Sequence, residues 1–356
     1  MYFSIDADEG RAISGWIVLD NPAAAPRLTL VIPDRPEITI EAHNHRPDIQ
    51  EIGIHLTGHV GFCIDEAIVP DLAAIDDVSL LESESRLLIF RRPRPHHLER
   101  KVYIFDASVM PQSGLLRELT HFFTNYYFHS ERLSLETMLI VINNHFCSST
   151  VLYGRSNFNR YVSYLNNAGF LRAALLHEPF TELAERLLTL KLIANRRLPH
   201  TESISGLDRG LSFAQELALN DERAMLQAFR RLDPDQRDLF SNPMTRLFGC
   251  DVDDPPQRRH VSVALENLAS MDVVGLRSEF PLFRQMLAGA LGADVGGGDR
   301  PAALSVVTEL AHKLSRIGVV EDMLEGDRQL YEFARNAMRS AEENNRTVAQ
   351  RSTQSI

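Results

Sequence analysis

The sequence predicts an α/β protein in which a parallel-sheet domain follows a small antiparallel β-sandwich. Two observations carry this expectation. Up to about residue 92, short runs of alternating apolar and polar residues are punctuated by turn residues. From Lys101 onward, compact all-apolar runs alternate with helical periods, the pattern of a parallel sheet covered on both faces.

Ile13–Leu19, Arg27–Ile32 and Glu37–Glu41 read as strands, with Asp20-Asn21-Pro22 and Pro33-Asp34 as turns. Trp16 reads as a core anchor, since a lone tryptophan in a strand usually packs inward; a sugar-stacking platform is the alternative. Residues 93–100 read as a solvated linker, because Pro93 and Pro95 interrupt helix and sheet alike and arginines flank them. His96 and His97 lack the companions of a metal site, and no metal is expected. In the domain spanning 101–340, Lys101–Phe105, Met138–Ile142 and Leu171–Leu176 read as buried strands. Helices are expected at Leu115–Phe123, Phe180–Ala194, Phe213–Ala218, Glu222–Leu232 and Arg259–Met271. The polar stretch 341–356 reads as a frayed tail.

Composition narrows the function. The chain has 356 residues, with 37 Lys and Arg against 48 Asp and Glu, a net charge of −11. Such an acidic chain does not suit broad binding to nucleic acid, which requires a basic surface to displace counterions. Cys63, Cys147 and Cys250 are too scattered for a metal or a disulfide framework and read as reduced thiols. No apolar run approaches the ~18 residues of a membrane span. The N-terminus lacks the sequence of a signal peptide. A cytoplasmic location is the expectation.

Ligands of an open parallel sheet bind at the C-terminal ends of its strands. The first such turn is Asp106–Gly114, and Ser113 and Gly114 stand where a helix begins and its N–H groups face outward.

Two later segments, Asn242-Pro243-Met244-Thr245-Arg246-Leu247-Phe248-Gly249 and Val273-Val274-Gly275-Leu276-Arg277-Ser278-Glu279-Phe280, give the chain a likeness to a family. Over residues 101 to about 292 it resembles carbohydrate sulfotransferases of the Golgi type and their bacterial relatives, whose sheet is of the phosphate-loop type. The resemblance implies transfer of a sulfuryl group from 3′-phosphoadenosine 5′-phosphosulfate to a hydroxyl of a surface glycan or glycolipid. It places the donor's phosphosulfate on Pro111, Gln112, Ser113, Gly114, Leu115 and Leu116. It places the 3′-phosphate at His177 and at Glu185, eight residues on, with Arg186 or Arg172 nearby. His145, after the expected second strand, becomes the catalytic base. Tyr153, Arg155 and Ser156 become candidate acceptor contacts, while Asn242 and Arg246 brace the donor site.

The chain departs from the family pattern where charge matters. Gln112 replaces a loop lysine that would steady the leaving phosphate electrostatically. Leu115 and Leu116 stand where glycine and hydroxyl residues are expected. His177 replaces an arginine and loses its two-pronged grip on phosphate. Glu185 replaces a serine. A non-catalytic binding or scaffold protein of polysaccharide assembly is therefore the alternative, marked by a filled or uncharged donor cleft into which Leu115, Leu116 and Glu185 would point. A glycosyltransferase comes third, since Asp251-Val252-Asp253-Asp254 precedes two prolines and reads as a loop. Separately, Gly15-Trp16, Arg46-Pro47-Asp48 and Gly61-Phe62 resemble β-sandwich modules attached to bacterial polysaccharide-modifying enzymes.

Overall fold

Two antiparallel sheets of four strands each are built from the first 91 residues. The strands are β1 (Tyr2–Asp8), β2 (Ala12–Val18), β3 (Arg27–Val31), β4 (Ile38–Glu41), β5 (Asn44–His45), β6 (His59–Asp65), β7 (Ser79–Glu82) and β8 (Leu88–Arg91). One sheet has the order β1-β2-β6-β5 and the other β4-β3-β7-β8. Alternation sends Ile13, Ile17, Phe62 and Ile64 inward to meet Leu28, Leu30, Leu80 and Phe90. The structure, a computed structural model, describes residues 1–198, 205–295 and 304–353.

Trp16 packs, but not between the sheets. It lies half-buried on the outer face, with Val18, Val60 and Ile49 of the short helix α1 (Pro47–Glu51). The period of two explains this: Ile13 and Ile17 take the inward positions, and Trp16 takes the opposite parity. Arg46 forks onto Asp48 and reaches Asp6 at 2.5 Å, so Arg46-Pro47-Asp48 ties this face together.

Five parallel strands form the third sheet: β9 (Lys101–Asp106), β10 (Asn125–Phe128), β11 (Thr150–Gly154), β12 (Leu171–Leu176) and β13 (Val273–Leu276), in the order β10-β11-β9-β12-β13. Helices α2 (Ser113–Phe122), α3 (Leu135–Ile142), α4 (Phe158–Asn167) and α5 (Pro179–Ala194) run between or after the first four strands. Then follow α6 (Leu211–Glu216), α7 (Glu222–Arg230), α8 (Pro234–Phe240), α9 (Pro243–Gly249) and α10 (Arg258–Ala269). Beyond β13 come α11 (Phe280–Leu291), α12 (Ser305–Leu314), α13 (Gly318–Met323) and α14 (Glu325–Thr353). Val102, Ile104, Val151 and Leu175 face α2 and α11, whereas Tyr103, Phe105, Leu152 and Leu176 face the core shared with α3, α4, α9 and α10. The sheet is thus apolar on both faces, as expected.

Met138–Ile142 is helix, not strand. Ser134 caps it by accepting the Thr137 N–H, and Met138, Val141 and Ile142 are buried at helical spacing. A short apolar run does not by itself distinguish strand from buried helix, and here the cap decides. The strands flanking β9 on that side are instead β10 and β11.

The segment 93–100 is not solvated along its length. His97 is buried and its Nδ1 lies 2.8 Å from Thr124 Oγ1. Arg94 pairs with Asp77, and Arg91 Nη1 donates to the Thr120 carbonyl. Burial, aided by Arg91, His96 and Arg94, pulls the His97 imidazole down to about 4, so it is neutral at pH 7. The backbone of α14 continues through Thr353, where the sequence led us to expect a frayed tail. Among the described residues no helix is long and apolar enough to cross a membrane, and Cys63, Cys147 and Cys250 are free thiols.

Candidate functional site

β9 is the centre of the sheet, with β11 on one side and β12 on the other. The chain leaves β9 toward β10 and leaves β12 toward β13, so the connections diverge between β9 and β12. Such a divergence opens a crevice beyond the strand ends, where ligands of open α/β sheets bind. Asp106, Tyr153, His177 and Arg277 all stand at this end of the sheet. Register sets two of them side by side: Leu176 pairs with Leu276, so His177 and Arg277 are the next residues of neighbouring strands.

Side chains of the protein fill the crevice. Arg277 Nη1 donates to Glu185 Oε2 at 2.8 Å, and His177 Nε2 lies 3.9 Å from the same oxygen. All three residues are buried. The eight-residue spacing from His177 to Glu185 does bring the two together, because α5 turns back across the strand end. Glu178 and Pro179 start that helix: the Glu178 carboxylate accepts the Phe180 and Thr181 N–H groups, and proline fits the first turn.

Across the crevice, the Tyr153 hydroxyl donates to Asp106 and accepts the Gln112 N–H at 3.3 Å. Burial pushes the Asp106 carboxyl up, opposed by Arg277 and by the Tyr153 hydrogen bond. Gln112 is buried, and its Nε2 makes no hydrogen bond among the described residues. Ser113 and Gly114 are exposed at the start of α2 and Pro111 is half-buried beside them, in the place the sequence led us to expect. Leu115 and Leu116 are not part of the turn. Both are buried against Val102 and Ile104, since positions three and four residues into the segment face the sheet, and neither can touch a ligand.

His145 is at the wrong end of the sheet. It is exposed in the loop before β11, where Lys101 Nζ at the start of β9 holds the neighbouring Asn144 carbonyl. Five residues of strand separate that edge from Asp106, roughly 16 Å. The displacement follows from α3, which occupies the segment read as the second strand. Arg172 shares this far edge and pairs with Asp272, so it cannot serve the crevice either. Arg186 is buried and braced internally: it donates to Glu182, to the Ala107 carbonyl and to the Leu239 carbonyl.

Beside the crevice lies an open cavity of about 310 Å³. Arg155, Glu131, Arg186, Arg246 and Asp238 line it, with Leu207, Leu239, Leu247 and Val252 supplying apolar surface. Each cation has a carboxylate partner: Arg155 with Glu131 at 3.0 Å, Arg186 with Glu182 at 2.7 Å, and Arg246 with Asp238. Burial raises the Glu131 carboxyl, but His129 and Arg155 outweigh it and bring it down to about 2. Gly154 makes this pairing possible, because a Cβ there would lie 2.5 Å from Glu131 Oε2. Of the expected acceptor contacts, only Arg155 reaches the cavity; Tyr153 and Ser156 are buried.

Asn242 belongs to a helix junction. Its Oδ1 accepts the Asp327 N–H, while the buried Asp327 carboxylate accepts the Met244 and Thr245 N–H groups at the start of α9. In the other motif, Gly275 lies under Phe283, where a Cβ would be 2.5 Å from the ring. Sequence reasoning missed Arg277, Glu131 and Asp106 as site residues. Their positions directly after or at the end of a strand are the signal that would have found Arg277 and Asp106.

Among the described residues no group of three or more His, Cys, Asp or Glu side chains is placed to hold a metal ion. No family model matches the chain, and no curated protein matches it.

Proposed function

We propose that this chain is a sulfotransferase-like protein that binds a glycan or glycolipid in polysaccharide assembly without transferring a sulfuryl group. The observation that carries this reading is the buried Glu185 carboxylate, 2.8 Å from Arg277, at the divergence point of the sheet. A donor phosphate there would meet a fixed negative charge, and the turn before α2 supplies a buried glutamine in place of a cation. These residues do not fit 3′-phosphoadenosine 5′-phosphosulfate. The base expected from the sequence, His145, lies at the opposite edge.

The cavity supports the glycan half of the reading. Guanidinium donors and carboxylate acceptors lie in pairs above Leu207, Leu239, Leu247 and Val252. Vicinal hydroxyls match such donor–acceptor pairs, and the CH face of a sugar ring matches the apolar floor. A second reading, an active sulfotransferase, draws on Arg155, Arg186 and Arg246 converging on this cavity.

Calorimetry with adenosine 3′,5′-bisphosphate separates the two. The proposed reading expects no binding at millimolar nucleotide. Saturable binding in the micromolar range would overturn it in favour of the second.

A further inference from the structure

We infer that the hollow between α9, α10 and the junction of α13 with α14 is a second binding site, and that its ligand is a small zwitterion. Such a molecule carries a carboxylate at one end and an ammonium group at the other. No residue that lines the hollow also lines the cavity beside the crevice.

The hollow has a volume of about 380 Å³, within the range of small-molecule sites. Gln257 and Arg258, at the entry to α10, form one wall. Asp322 of α13 and Glu325 of α14 form the other. Asn242 and Thr245 make the floor. Helix α9 therefore separates two cavities. Pro243, Arg246 and Leu247 face the one beside the crevice, whereas Asn242 and Thr245 face this one.

The floor carries a polar group without a partner. Thr245 is 1% exposed, and its hydroxyl lies beside the Asp327 carboxylate. It makes no hydrogen bond there or with any other described residue. Buried polar groups left unsatisfied are uncommon in native folds, and an absent ligand is one cause. Gly326 keeps the floor open, because a Cβ there would lie 3.1 Å from both Asn242 Oδ1 and Thr245 Oγ1.

Charge sets the ligand class. In the cavity beside the crevice every guanidinium has a carboxylate partner. Here Arg258 and Asp322 stand exposed on different walls, and neither forms an ion pair with a described residue. A simple anion would meet Asp322 and Glu325, and a simple cation would meet Arg258. A zwitterion satisfies both walls. Its carboxylate accepts from the Arg258 fork and the Thr245 hydroxyl, and its ammonium group donates to Asp322 and Glu325.

The test is calorimetry on the full chain at constant ionic strength with three zwitterions of increasing charge separation: L-serine, 4-aminobutyrate and 6-aminohexanoate. At least one is expected to bind saturably with a Kd below about 10 mM. Its N-acetyl and amide derivatives each lack one charge and should bind at least about tenfold more weakly. Arg258→Gln and Asp322→Asn should each weaken the parent zwitterion to a similar degree. Both side chains are exposed, so neither variant should appreciably change the unfolding temperature. Absence of saturation with all three zwitterions would overturn the assignment, as would equal affinity for a blocked derivative. Weakening in only one of the two variants would mean a ligand held at one end, which overturns the zwitterion class.

Discussion

Glu185 and Arg277 are 92 residues apart in the chain and form a buried ion pair at 2.8 Å. Removing one partner of such a pair leaves the other charge stranded, which costs about 3–5 kcal/mol, whereas replacing both with apolar residues is often close to neutral. Arg277→Met should therefore destabilise the fold by about 3 kcal/mol or more. Glu185→Leu with Arg277→Met should recover most of that loss. Urea denaturation of the single and double variants measures the coupling, and additive losses would contradict a direct pair.

Asp327 gives a distinct pH signature. Burial pushes its carboxyl up to about 6, against the pull of the Met244 and Thr245 N–H groups. The folded value exceeds the ordinary value of about 3.9. Its contribution is therefore greatest below pH 4 and is lost as pH rises through 6, by about 3 kcal/mol in all. Asp327→Asn should remove this slope. As pH rises from 4 to 7 the wild type should lose stability relative to the variant by that amount, and parallel curves or a relative gain would refute the assignment.

Gly275→Ala should destabilise the protein by about 1–3 kcal/mol, because a methyl group would press on the Phe283 ring at 2.5 Å. Calorimetry should record a fall in Tm. An unchanged Tm would mean that α11 shifts without loss.

His145→Ala should change stability by less than about 0.5 kcal/mol, since the side chain is exposed at the edge of the sheet remote from the crevice. Glycan binding should be unaffected as well. A loss of binding in a glycan array or by calorimetry would return His145 to the site.

Much of the fold was legible because periodicity and burial agree. β9 and β12 carry the apolar runs Val102–Phe105 and Ala173–Leu176, buried throughout, and α5, α7 and α10 fall within a few residues of their expected limits. β10 was hidden because it is an edge strand of four residues, Asn-Tyr-Tyr-Phe, with a polar start and two of its three aromatics, Tyr126 and Phe128, only half-buried. α3 was misread because Met138–Ile142 is apolar all round and β-branched in part, and its cap lies four residues upstream at Ser134. At the site, the spacing of His177 and Glu185 was readable. The partner that matters to both, Arg277, reaches them only through the pairing of β12 with β13, a long-range contact that no local pattern encodes.

The apolar core that runs from the sandwich into α3 has a consequence for how the protein is made. Met138, Val141 and Ile142 share that core with Met1, Phe3 and Ile5, and the Thr137 hydroxyl donates to the Met1 carbonyl. During synthesis the β-sandwich leaves the ribosome first. It must then wait, with that flank wet, for more than forty further residues before the segment that covers it emerges. The first domain of this chain is thus completed by the second, and its core cannot close before that later segment has been made.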